Sequence, residues 1–168
     1  MRVSAFLLSA LMAVPAAAQV ADLETTPKSL FFAGRCMAPV MLREDISTKD
    51  LRQLPVQAAV PHLFGEDGEV WQGLDPSVLL VKLQGANCGI NVFDEELPEV
   101  EAFMDYWLDR EDSPFELTER KETDQAVTLL YDGFCESCGF NVHARALHLK
   151  ADRFTVYRVF ATLPEKAE

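Results

Sequence analysis

The segment YDGFCESCGFNVHARALH, residues 131–148, gathers two of the chain's four cysteines and two of its three histidines. Cys135 and Cys138 have the spacing of a redox dithiol, in which one thiolate attacks a disulfide and the other sulfur resolves the mixed intermediate. With His143 and His148 they also supply the number and type of ligands for a tetrahedral S2N2 zinc site. In an oxidising compartment a third outcome is simpler. The two sulfurs close on each other between Gly133 and Gly139, stiffening a loop tip, and the histidines are ordinary surface residues. A ring that short adds little through loop-closure entropy.

Which chemistry applies depends on where the chain resides. Arg2, the apolar run Val3 to Val14 and the small residues Ala16 and Ala18 read as a signal peptide, residues 1–18, cut before Gln19. The run is too short to span a bilayer, which takes ~20 residues. The expected product is periplasmic or secreted. The formal charge is −12 for the whole chain, and −13 once Arg2 is gone. So strong a negative charge argues against nucleic acid and against anionic membrane surfaces. It is compatible with a basic protein partner.

Export changes what the cysteines mean, because paired thiols in such compartments default to disulfides. Four cysteines allow three connectivities, and sequence does not choose among them. Adjacency favours Cys135 with Cys138, leaving Cys36 and Cys88 as a long-range pair worth ~2–4 kcal/mol. All four are therefore candidates for structural disulfides.

The elements that hold these residues are read from periodicity. A polar lead-in, residues 19–28, is expected to be loose. SLFFAGRCM, from Ser29, spaces its apolar residues for a short helix that stops before Pro39. STKDLRQLPVQAAVPHLF suits a second helix capped by Ser47, with Pro55 either kinking it or marking its true start. His62 reads as a residue near that helix's end. Trp71 falls on a short strand after the turn at GEDG, and SVLLVKL and CGINVF form a hairpin. Leu97, Val100, Phe103, Met104, Trp107 and Leu108 make the apolar stripe of the clearest helix, with Trp107 as a core anchor. DREDSPFELTERKETD reads as a charged break. The acidic groups Asp94/Glu95/Glu96 and Glu111/Asp112 read as crowded surface charge. AVTLLYDGF and RFTVYRVFA are strands. Residues 140–149 fit a helix through Phe140, Ala144 and Leu147, and a strand by alternation from Asn141 to Leu149.

The whole is expected to be one α+β domain over residues 29–163, an antiparallel sheet with helices packed on one face, stapled by disulfides and followed by a tail at 164–168. No phosphate loop, nucleophile elbow or zinc-protease motif is present in the sequence.

Three resemblances bear on function. LLYDGFCESC, with Tyr131, Asp132, Gly133, Cys135 and Cys138, resembles the start of the DCC thiol-disulfide oxidoreductase family over residues 127–160. That resemblance implies Cys135 as the attacking sulfur at the N-terminus of a helix, and Cys138 as the resolver. CESCGFNVHARALH resembles a zinc knuckle, which implies Cys135, Cys138, His143 and His148 as ligands. SLFFAGRC, VW and LLVKLQGANCGINVF together resemble small uncharacterised exported proteins of Gram-negative bacteria, which carry no assigned activity. The leading expectation is an exported, disulfide-stapled domain that binds a ligand or partner without catalysis and needs no cofactor. The thiol-disulfide enzyme is the alternative, and structural zinc the third.

Overall fold

Strict alternation decides the ambiguous stretch. From Phe140 to Leu149 each residue that points to the core is buried and each that points away is half-exposed. A helix would have placed Ala144 on the side opposite Val142 and Ala146, so the hydrophobic effect selects a strand. The computed structural model describes residues 26–109, 113–136 and 138–162. The expected signal peptide, its cut, most of the lead-in and the tail lie outside those residues, as do Glu111 and Asp112.

The first helical segment, α1, runs without a break through Pro27–Ser29, a π-helical stretch Leu30–Met37, and Ala38–Leu42. Two expectations are corrected here. Lys28 belongs to this helix rather than to a loose lead-in, and Thr26 caps it by accepting from the Ser29 amide. The helix also passes through Pro39 instead of stopping before it. In the π-helical stretch Ala38 N–H reaches back to the Ala33 carbonyl. That wider winding relieves the clash a proline ring makes with the carbonyl four residues back.

Eight strands follow: β1 Arg52–Gln53, β2 Gly68–Gln72, β3 Val78–Leu83, β4 Cys88–Val92, β5 Phe115–Glu122, β6 Ala126–Cys135, β7 Phe140–Leu149 and β8 Phe154–Thr162. They form one sheet in the order β1-β2-β3-β4-β8-β7-β6-β5, with every neighbour antiparallel. Helix α2 covers Val56–Leu63 and helix α3 Leu97–Leu108. Pro55 is the true start of α2, and the residues before it, Arg52 and Gln53, pair with β2 instead of continuing a helix from Ser47. His62 stands near the end of α2, as read.

The expected charged break is in large part strand β5. It lies at a sheet edge, and apart from Phe115 its residues are exposed. Charges along an edge strand deter pairing with other chains, which is why its composition imitates a loop.

The main core lies between α1, α3 and one face of the sheet. Phe32, Cys36 and Val40 of α1 and Val100, Phe103, Met104 and Leu108 of α3 meet Leu80, Ile90, Tyr157, Val142 and Ala144. Each such large side chain contributes about 1.5–3 kcal/mol by leaving water. Trp107 packs partly buried against this core. A reciprocal cap between Glu96 and Glu99 starts α3. The short α2 covers only a corner of the other face, through Ala59, Val70, Leu79 and Val81. Disulfides join Cys36 to Cys88 and Cys135 to Cys138. Among the described residues no helix is long and apolar enough to cross a membrane.

Candidate functional site

The cysteine–histidine segment is the β6–β7 hairpin and its turn. Cys135 closes β6, and its carbonyl accepts from the amides of Cys138 and Gly139 at 3.1 and 2.8 Å. Gly139 sits at φ +73°, where a side chain would be strained. The disulfide spans this turn, with Cys135 buried beside its cross-strand partner Phe140. The helix that the oxidoreductase resemblance implies at Cys135 is replaced by β7. Among the described residues no helix starts at Cys135, so no helix dipole is directed at its sulfur.

The four zinc-type residues do not converge. His143 and His148 are five positions apart on one strand, which places them on opposite faces of the sheet. Nor are they ordinary surface residues. His148 faces the core at 3 % exposure, with Nδ1 3.0 Å from Thr155 Oγ1. His143 lies on the other face with its ring stacked on Phe160 at 4.9 Å. Its Nδ1 is 2.6 Å from Asp132 Oδ1 and its Nε2 is 2.9 Å from Thr162 Oγ1. Thr118 donates to the second Asp132 oxygen at 2.8 Å. The bond to His143 holds the Asp132 carboxyl below the usual carboxylate range. A carboxylate, an imidazole and a hydroxyl in line form the order of a proton relay. Here that line crosses β5 to β8 and ties four strands together. An open cleft beside it is lined by Glu116, Asp132, Phe134, Glu136, Asn141 and His143.

Burial pushes the His148 pKa down, and the same cause lowers that of His62. A histidine whose folded pKa is depressed contributes stability above its unfolded value, near 6.5, and loses it as pH falls toward the folded value. Unfolding free energy is therefore expected to fall from pH 7 to pH 5, by at most ~1.4 kcal/mol per pH unit for each such histidine. In urea titrations His148→Gln should flatten that slope, while His62 keeps part of it. A variant with the wild-type slope would show that His148 is not a source of the effect.

The same outward face of β5–β8 carries what the sequence reading passed over. Arg158 of β8 is 1 % exposed, and burial lowers its pKa. It donates to Glu66 Oε2 at 2.8 Å and to Asn91 Oδ1 at 2.9 Å, lying over Gly89, where a side chain would collide with it. Arg145 of β7 stands directly across from Arg158. The Arg145 Nε is sealed from solvent without an acceptor. Equal steps outward from the Cys135–Phe140 pair at the hairpin tip pair Asp132 with His143 and Leu130 with Arg145. Once the segment is taken as a hairpin, that register is the signal that would have found them.

Of the three described helices, α1 and α3 lie on the opposite face and α2 over the β2–β4 corner, so none of them covers the outward face of β5–β7. Compared with family models, with curated proteins and with solved structures, the chain matches none.

Proposed function

We propose that this protein is an exported, disulfide-stapled binding domain that acts without catalysis, and that its ligand surface is the outward face of β5–β7. One observation carries the reading. Strands β5–β7 keep an outward face that no described helix covers, and that face holds half-buried Leu130, Leu147 and Leu149 beside the acceptorless Arg145. Apolar side chains grouped on an uncovered face of a folded domain mark an interaction site more often than an accident of packing. Both disulfides fit an oxidising compartment, and the sulfur of Cys135 is buried on the core side of the hairpin.

Expressed with residues 1–18 in a Gram-negative host, the chain is expected in the periplasmic fraction. Its mass should show loss of those residues and of four hydrogens, two for each bridge. Retention of the uncut chain in the cytosol would remove the premise of export. The purified protein should bind the neutral dye Nile red when folded, and Leu147→Asp should abolish the signal without unfolding it. It should reduce insulin no faster than Cys135→Ser does. A clear excess over that variant would establish the thiol-disulfide enzyme instead.

A further inference from the structure

Resting on that reading of the face, we infer that its ligand is an organic carboxylate with an apolar body, and that Arg145 receives the carboxylate. Among the described arginines, Arg35, Arg52, Arg120, Arg153 and Arg158 each donate to a protein oxygen, and Arg43 lies over the Phe140 ring. Arg145 does neither. Its Nε is shielded from water and bonded to nothing, which costs the folded protein a desolvated donor that no internal group compensates. The residue directly across is Arg158, another cation, and like charges in facing positions repel. Arg158 is already paired with Glu66. An anion at the outer edge of the half-buried Arg145 guanidinium would relieve that repulsion.

The surroundings select the kind of anion. The guanidinium fork matches one carboxylate through two parallel N–H bonds. A polyanion would meet the repulsion of a chain with a formal charge of −12. From Arg145 the outward residues continue along β7 to half-buried Leu147 and Leu149. Beyond them the buried Phe154, across from Leu149, backs Phe64, which is 48 % exposed at the end of α2. Four strand residues separate Arg145 from Leu149, a track of about 13 Å at ~3.3 Å per residue. The ligand is thus anionic at one end and aliphatic or aromatic along its length.

The test uses decanoate, with decanol and decylamine as controls, titrated below their aggregation limits into the mature protein. Binding is followed by calorimetry and by NMR of the arginine Nε–H and leucine methyl signals. Decanoate, with its carboxylate at the outer edge of the guanidinium, is expected to shift the neighbouring Arg145 Nε–H and the methyls of Leu147 and Leu149, while decylamine does not. Arg145→Gln should weaken decanoate binding roughly tenfold or more, with Arg145→Lys in between because it keeps charge but loses the fork. Arg145→Gln should also leave the melting temperature unchanged or raise it, since it removes an uncompensated charge. Failure of decanoate to bind, equal binding by Arg145→Gln, or a drop in stability on that substitution would each overturn the assignment. The broader reading fails separately, through absence of Nile red binding at Leu147.

Discussion

Replacing Cys36 and Cys88 together with alanine is expected to cost about 4 kcal/mol of unfolding free energy, and to lower the melting temperature by on the order of 10 °C. The two residues are 52 positions apart, and both are fully buried. Cross-linking them removes the conformations in which α1 wanders from β4 in the unfolded chain, and that entropy grows with the logarithm of loop length. Cys135 and Cys138 are only 3 positions apart. By the same law their bridge should contribute about 2.5 kcal/mol less. Urea unfolding of the two double-alanine variants tests this ordering. Equal losses, or a larger loss at the hairpin tip, would mean that the turn bridge does more than close a short ring. Such an outcome would reopen the question of why the chain keeps it.

The parts of this fold that could be read from sequence are those where one physical effect dominates. Helix α3 shows because its apolar stripe is unbroken from Leu97 to Leu108 and its polar residues fall on other faces. The β3–β4 hairpin shows because two apolar runs flank a short turn containing glycine. Strand β5 does not show, because an edge strand selects charge on both faces and so erases the period-two signal. Residues 140–149 remained open because Phe140, Ala144 and Leu147 satisfy a helical period while the full run satisfies a strand, and only the sheet on either side decides. Of the candidate site, the bridged Cys135–Cys138 turn was legible and the fate of the histidines was not. A spacing of five puts them on opposite faces of a strand, which follows only once residues 140–149 are known to be one. Arg145 and Arg158 were invisible as a pair, since they become neighbours only through the β7–β8 register.

The second large effect lies with an acid that resembles its exposed neighbours in sequence. Asp94, Glu95 and Glu96 look alike, yet Glu95 is 4 % exposed. Its carboxylate accepts from Tyr157 Oη at 3.0 and 2.9 Å and pairs with the ammonium of Lys28, which lies 4.0 Å from the centre of the Phe103 ring. Burial and the nearby carboxylate hold the Tyr157 hydroxyl protonated, so it remains a donor. Lys28→Met removes the cation paired with Glu95 and leaves a charge in the core between α1 and β8. Breaking a buried pair from one side costs about 3–5 kcal/mol, far more than an exposed pair is worth. Glu95→Gln in the same protein keeps an acceptor for Tyr157 while removing the stranded charge. The double variant is therefore expected to be more stable than Lys28→Met alone, with a coupling of about 1–3 kcal/mol in the cycle. Urea midpoints of the wild type, both single variants and the double variant supply the measurement. If the double variant is no better than Lys28→Met, the lysine acts through its packing on Phe103 and not through its charge.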